Sequence, residues 1–292
     1  MRITNSEMYR NFLSDIQTLN ERLNNAGRQL SSGKKLTYLK DSPSGSAELI
    51  SLSERASEIE QYKSNIDTGM YFLRVAESAL NEVHNLVASI YAKGSQAASE
   101  VLASEARVTL ADEIRSYRDQ ILAIANSRAR ERYIFAGSRV MDAPFTISGD
   151  TVSYGGDEEA SSVRVDDGTE VQQCISASGM FASIFGAIEE LLNAIDEDDL
   201  PDIKTALEQF SSALSGLNQV RGRVGVNLGT LESIKTALEM RTLSVKERQS
   251  LIEDADLSEV VVRLQKNQTA LEAAMTAGGS ILRQYNLFDI IG

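Results

Sequence analysis

The chain has 292 residues, and 29 lysines and arginines against 42 aspartates and glutamates give it a net charge of −13. This acidic surplus disfavours nucleic acid as a partner, because phosphate binding requires positive charge to release counterions, and it equally disfavours an anionic membrane surface. The single cysteine, Cys174, and the single histidine, His84, exclude an intramolecular disulfide framework and Cys/His zinc sites. Composition therefore favours long helices over an enzyme with a metal or cofactor.

The first predicted element is a helix from about Ser6 to Leu30, whose apolar residues alternate at spacings of four and three. Such spacing is that of a coiled-coil seam, the row of side chains that faces a partner helix. The residues before it lack the apolar core of a secretory signal peptide, and no apolar run reaches the ~18 residues of a membrane span. The predicted seam consists of Phe12, Ile16, Leu19, Leu23, Ala26 and Leu30.

A second helix follows a Pro- and Gly-containing loop at residues 41–45 and carries a strict seven-residue repeat, which indicates a sustained seam. We expect this helix to break near Lys93 and Gly94, and a third helix to follow. The repeat consists of Leu52, Ile59, Ile66, Leu73, Leu80 and Val87. The inner face of the third helix carries Leu110, Ile114, Tyr117, Ile121 and Ile124.

The pattern changes between Ser138 and Ser178, where the period falls to two and turn residues multiply. Residues 145–154 predict one hairpin around Ser148–Asp150, and residues 163–171 predict a second around Asp166–Gly168. About forty residues of strand therefore interrupt a helical chain. Cys174 in this insert is interpreted as a small apolar filler.

Helix resumes at Phe181 and stops in the acidic run Asp196–Asp199, which lacks the glycine and the bidentate glutamate of an EF-hand loop and predicts a solvated turn. A long helix then runs from Asp202 to roughly Ile252, and Asp254–Asp256 offers an N-cap for the last helix. The last helix has a predicted seam of Leu257, Val261, Leu264, Gln268, Leu271, Met275, Gly278, Leu282 and Tyr285.

These elements predict a mainly α fold, an elongated helical bundle with N- and C-terminal coiled-coil helices and a small inserted β subdomain. Residues 1–40 with 255–292 form the predicted terminal domain, residues 41–137 with 180–254 the bundle, and residues 138–179 the outer subdomain. The two terminal helices pair because neither can bury its seam alone.

Outside the seam, the C-terminal helix and tail carry more apolar surface than one partner helix covers, and an exposed apolar patch marks a partner interface. We therefore predict assembly through both terminal helices. The predicted interface consists of Phe12, Ile16, Leu19, Leu23, Leu30, Leu257, Val261, Leu264, Leu271, Met275, Leu282, Tyr285, Leu287 and Phe288.

Several stretches resemble the flagellin superfamily. Residues 29–36 with 40–45 are similar to the loop after the first helix of flagellins, residues 221–228 to their glycine-bearing stretch, and the last 40 residues to their C-terminal helix. Within the superfamily, the string Tyr133–Ser138, the insert residues 154–157 and the ending 287–291 resemble the hook–filament junction family, hook-associated protein 3.

The resemblance implies a structural role in a junction ring between the hook, through hook-associated protein 1, and the flagellin filament. It implies terminal helices that line the axial structure, a ring homo-oligomer, and export through the flagellar type III apparatus without a cleavable signal, with a chaperone on the C-terminal helix. The expected location is extracellular, in the flagellum.

Alternatives remain open at the level of sequence. A short flagellin that forms the filament itself is the nearest one, and a cytoplasmic coiled-coil scaffold or a ligand-binding β insert are others. His84 is interpreted as a plain packed or surface histidine. Gly222, Gly225 and Gly229 fit no phosphate-binding pattern and indicate close helix approach or a bend.

Overall fold

The computed structural model describes residues 5–36, 42–148, 151–157, 162–172 and 177–291. Cys174 and Asp41 lie outside these residues. The described part is mainly helical, as predicted. Its helices are α1 (Asn5–Ser32), α2 (Pro43–Ala97), α3 (Ser104–Ala125), α4 (Ser178–Asp196), α5 (Leu200–Glu253) and α6 (Leu257–Ile291). Its strands are β1 (Arg128–Ala129), β2 (Arg132–Tyr133), β3 (Phe145–Ser148), β4 (Thr151–Tyr154), β5 (Ser162–Asp166) and β6 (Thr169–Gln172).

The chain divides into two compact units. The terminal unit comprises Met1–Ser57 and Arg241–Gly292, and the central unit comprises Glu58–Met240. In the terminal unit α1 packs against α6. In the central unit α3 packs against α4, and α4 also contacts β4.

The heptad repeat of α2 forms part of the core, because every residue predicted for it is buried. The predicted break at Gly94 is wrong, since α2 continues through it to Ala97. Gly94 occupies a seam position beside two other helices, and a Cβ added there would lie 2.9 Å from a methyl of Leu191 and 2.8 Å from one of Leu207. The glycine therefore permits close helix packing rather than ending the helix.

Aromatic rings fill the end of the central unit where α4 begins. The ring of Phe181 lies 5.2 Å from that of Phe135 and 5.0 Å from that of Phe145, both edge-on. Edge-on pairs at such distances stabilise a core beyond the area that they bury. Asn126, just after α3, donates to the carbonyl of Phe145 at 2.8 Å and accepts from its amide at 3.0 Å. The β insert is therefore fixed to the end of α3 and the start of α4.

Both predicted hairpins are present. Strand β3 pairs antiparallel with β4, so that Phe145 faces Tyr154, and β5 pairs antiparallel with β6 with a register shift between Arg164 and Asp166. A third hairpin, β1–β2, precedes the insert and was not predicted. Its two turn residues, Arg130 and Glu131, have φ values of 47° and 65°, as a tight hairpin turn requires.

Asp157 ties the chain after β4 back to the exit from α3. Its carboxylate accepts hydrogen bonds from the Ser138 amide at 2.6 Å and from the Ser138 hydroxyl, and its carbonyl accepts one from the Tyr154 hydroxyl at 2.6 Å. Gly137 has φ +66°, and any Cβ there would overlap Asp157. This position therefore requires glycine for two separate reasons, its backbone conformation and its close contact.

We predict that Gly137→Ala lowers the free energy of unfolding by about 3 kcal/mol, because it combines strain at positive φ with a steric overlap. Gly168→Ala is the matched control, since Gly168 has φ +72° but nothing within 4 Å of an added Cβ. The control should cost only about 1 kcal/mol. Urea unfolding followed by circular dichroism measures both, and equal losses would contradict the contact at Asp157.

Candidate assembly interface

The terminal helices pair in antiparallel fashion. Phe12 near the start of α1 lies against Gly278 near the end of α6, where any Cβ would overlap the phenyl ring. At the opposite end of the pair, Arg263 donates to the side-chain oxygen of Gln29 at 3.2 Å. Together these contacts span about four turns of each helix.

On α1, the predicted seam largely faces inward. Ala26 is buried, and Phe12, Ile16, Leu19 and Leu23 are half-buried. Leu30 is the exception: it is exposed at the end of the helix. Leu30 therefore lies outside the packed seam, in the last turn of α1.

On α6, the predicted seam is only half correct. Leu264, Leu271 and Gly278 lie on the inner side, but the residues that accompany them there are Val260, Asn267 and Ala274. The positions assigned to that role from the sequence, Val261, Gln268 and Met275, are exposed, as is Leu257. The reason is that apolar residues lie on both sides of Leu264 and Leu271, Val260 and Ala274 on one side and Val261 and Met275 on the other. The heptad repeat therefore allows either side to face the partner helix.

Helix α6 consequently has two overlapping seams, and both contain the row Leu264, Leu271 and Gly278. The inner seam adds Val260, Asn267 and Ala274 and faces α1, whereas the outer seam adds the row Val261, Gln268 and Met275. The outer row carries Val261, 44% exposed, and Met275, 62% exposed, which lie two heptads apart on the same side. Exposed apolar side chains on α1, Tyr9 and Leu13, lie one turn apart. The side chains of Leu282, Tyr285, Leu287 and Phe288 lie outside the described part of the structure, so their predicted role stays a prediction.

A short backbone bridge closes the inner end of this pair. Lys34 and Asp254 form an isolated antiparallel bridge, in which the Lys35 amide donates to the Glu253 carbonyl at 2.6 Å and the Ala255 amide to the Gly33 carbonyl at 2.9 Å. The Lys34 ammonium also pairs with the Glu253 carboxylate. That hydrogen bond and charge raise the pKa of Lys34 above its usual range. The bridge fixes the two turns, α1–α2 and α5–α6, side by side.

The last helix begins where the sequence predicts. Asp256 precedes α6, and its carboxylate accepts from the Ser258 amide at 2.9 Å and from the Glu259 amide at 3.2 Å. These bonds satisfy two of the amides left without partners at a helix start. Asp256 is thus the N-cap, which fixes where α6 begins.

We predict that Gly278→Val separates α1 from α6, because its side chain needs the space that the Phe12 ring occupies. Gly279→Val is the matched control, with the same change in helix propensity but nothing within 4 Å of an added Cβ. Hydrogen exchange should show amides of α1 and α6 losing protection at least ~10-fold in the first variant only. Equal protection in both variants would contradict the pairing.

The acidic loop between α4 and α5 is held by two arginines of α3. Arg107, whose side chain is 7% exposed, pairs with Asp198 and donates to the carbonyls of Ala97 at 3.1 Å and Ser99 at 3.0 Å. Arg115 pairs with Asp196 at 2.5 Å. Hydrogen bonds from Ser104 and then from Arg107 hold the pKa of Asp198 below its ordinary value of 3.8. The loop is thus anchored to α3 as well as capping α5.

Because the pKa of Asp198 is lowered in the folded state, its charge stabilises the fold at pH values above 3.8, and this contribution is lost as the pH falls below that value. Asp198→Asn should therefore lower the urea midpoint at pH 6, and the difference from the unsubstituted protein should shrink towards about pH 2. Asp202→Asn, in the first turn of α5 and without an ion pair among the described residues, is the control. A difference that does not vary with pH would contradict the assignment.

Nothing among the described residues suggests catalysis or metal binding. No group of three or more His, Cys, Asp or Glu side chains within them lies in an arrangement suited to a metal ion. His84 on α2 is partly buried, and its Nδ1 has no hydrogen-bond partner there. In the part of the chain that was searched, no helix is both long and apolar enough to cross a membrane.

Comparison with known proteins agrees with this interpretation. The N-terminal helical region of bacterial flagellin matches residues 3–139, and the C-terminal helical region of bacterial flagellin matches residues 207–288. The flagellar hook-associated protein 3 of Salmonella typhimurium is 25% identical, over 94% of this chain and 95% of that protein. The flagellar filament 30.7 kDa core protein of Treponema maltophilum is 23% identical, over 92% of this chain and 91% of that protein.

Among solved structures, the flagellar junction protein FlgL of Legionella pneumophila superposes with a TM-score of 0.59 at 16% identity. The match covers 71% of this chain and 100% of that one, and it concerns the fold. The two flagellin regions match the two ends of this chain, and the described part of the chain resembles that structure in its helical fold. The chain belongs to the flagellin family, the structural proteins of the bacterial flagellum.

Proposed function

We propose that this chain is a non-enzymatic axial protein that forms the junction ring between the hook and the flagellin filament. The similarity to hook-associated protein 3 along nearly the whole chain supports this role. A short flagellin is the alternative. The chain is also similar to a filament core protein, although less so than to hook-associated protein 3. Both roles require assembly of many copies through one surface.

The observation that carries the proposal is the outer row of α6. Val261 and Met275 lie exposed on a helix whose other seam is already occupied by α1, and Leu257, at the start of the row that both seams share, is exposed as well. Burial of an aliphatic side chain stabilises a contact by about 1.5–3 kcal/mol, so several such residues per copy give a substantial driving force. The predicted interface residues of the outer row are therefore assigned to contacts between subunits, and those of the inner seam to α1·α6 packing.

The proposed partners are other copies of this chain in a ring, hook-associated protein 1 on the hook side and flagellin on the filament side. Export through the flagellar type III apparatus, with a chaperone on the C-terminal helix, accounts for a location outside the cell. An unpaired apolar row on α6 is also the kind of surface that a chaperone covers before assembly, because exposed apolar patches promote aggregation.

Immunogold labelling of intact cells with an antibody against residues 138–179 tests the role. We expect a single band of label at the hook–filament boundary, since a ring occupies one level of the axial structure. Label along the whole filament would replace the junction role by that of a flagellin. The absence of extracellular label would favour the alternative of a coiled-coil scaffold inside the cell.

The same labelling experiment also tests whether loss of assembly is specific to substitutions in the outer row of α6 or follows from any charge placed on an exposed apolar surface. V261D/M275D places two charges in the outer row, and we expect the exported protein to appear in the medium with the band lost. V226D/M240D is the matched control, because both residues are exposed apolar side chains of the central unit and lie outside the segment that the antibody recognises. Equal loss of the band in both variants would remove the special role of the outer row.

A further inference from the structure

The hairpin β1–β2 concentrates positive charge in an acidic protein. Residues 127–140 contain four arginines, Arg128, Arg130, Arg132 and Arg139, against one carboxylate, Glu131. All four arginines are exposed. In the described residues no carboxylate lies within ion-pair distance of any of them, although the chain as a whole carries 42 acidic residues.

Aromatic rings hold two of these four guanidinium groups in place. Arg128 lies 4.2 Å from the centre of the Tyr133 ring and donates to its hydroxyl at 2.5 Å. Arg130, in the turn, lies 4.8 Å from the centre of the Tyr71 ring on α2. Stacking on an aromatic face leaves the N–H edge of a guanidinium free to donate to carboxylates. The hairpin therefore presents a cationic surface whose arginines form no ion pair with the described carboxylates.

The opposite end of the same unit is acidic. Asp196, Glu197, Asp198 and Asp202 are exposed in and after the α4–α5 loop. The loop is anchored through Arg107 and Arg115, so its carboxylates are presented by a fixed backbone. Glu197 and Asp202 have no cationic partner among the described side chains.

Helix α3 separates the two charged ends. Its first turns contact the acidic loop through Arg107, and its last residue leads directly into the hairpin. With 22 residues it is about 33 Å long. The macrodipole of α3 favours this placement of charge, but α4 packs against α3 in the opposite direction, so that the two dipoles cancel. The acidic loop also precedes the N-terminus of α5, where carboxylates are favoured, so helix ends contribute to this placement of charge.

Each charged end also has an exposed apolar side chain. Met141, two residues after Arg139, is 73% exposed, and Val101, in the α2–α3 connection that Arg107 fixes, is 96% exposed. Protein interfaces commonly combine an apolar centre with a charged rim. The two ends are thus opposite in charge, and each carries an exposed apolar side chain.

We propose that the arginine hairpin of one copy docks on the acidic α4–α5 loop of a neighbouring copy, with the two copies offset by about the length of α3, ~33 Å. The contact is head-to-tail, the kind that generates rings and helical arrays. It rests on the proposed function, because it specifies how adjacent subunits of the ring meet. Opposite charges at this contact select the partner and set the offset.

Charge reversal at each end of the full chain tests this contact. R130E/R132E reverses the hairpin, and E197K/D202K reverses the loop. Either variant alone brings like charges together, whereas an equimolar mixture restores opposite charges at every contact. By sedimentation velocity in low salt, we expect self-association at least ~10-fold weaker for each variant alone and recovered in the mixture.

R164E/R223E is the control, with the same change in net charge at exposed arginines elsewhere in the central unit, and it should associate like the unsubstituted protein. Circular dichroism confirms that all variants are folded. Association that does not depend on salt, single variants that associate normally, or folded variants whose mixture does not recover would each overturn the proposal.

Immunogold labelling then separates this proposal from the junction role. A band that is lost in either charge variant and restored by co-expression of both supports the contact. A normal band in R130E/R132E cells overturns the contact but leaves the junction role intact. A missing band in cells with the unsubstituted protein overturns the junction role. In that case, recovery of self-association in the equimolar mixture of the two charge variants would still support the contact.

Discussion

The terminal unit depends on the packing of α1 against one side of α6. Phe12 fills the space that the missing side chain of Gly278 leaves, and the bridge between Lys34 and Asp254 fixes the other end of the pair. One partner helix covers one seam, and α6 has two. We propose that a neighbouring subunit covers the exposed row that contains Val261 and Met275, and this proposal connects the sequence of α6 to assembly.

Heptad spacing made the helices predictable but not the rotation of α6. In α2, one row of large apolar residues leaves a single way to face the core, and the buried repeat agrees with the sequence. In α6, apolar residues flank Leu264 and Leu271 on both sides, so that periodicity alone allows two orientations. Contact with Phe12 and Gln29 decides between them, and such long-range packing is not present in local sequence.

Two local features escaped prediction for a different reason. Gly94 looks like a helix breaker, yet it lies in the seam of α2 because Leu191 and Leu207 approach too closely for a side chain. The β1–β2 hairpin has strands of two residues and an Arg-Glu turn at positive φ, where Asn-Gly is the usual signal. In both cases tertiary contacts override a local preference. The longer hairpins β3–β4 and β5–β6 have ordinary turn residues and were predictable.

Apolar and charged contacts have different physical consequences for an array of identical subunits. A heptad seam offers nearly equivalent positions every seven residues, since Leu264, Leu271 and Gly278 recur at that spacing, so burial alone gives strength without a unique offset between copies. A compact cluster of guanidinium groups and an acidic loop each occupy one place in the central unit, so that the two can meet at one offset between copies. The outer row of α6 would then supply the free energy of assembly, and the arginine hairpin would set its register.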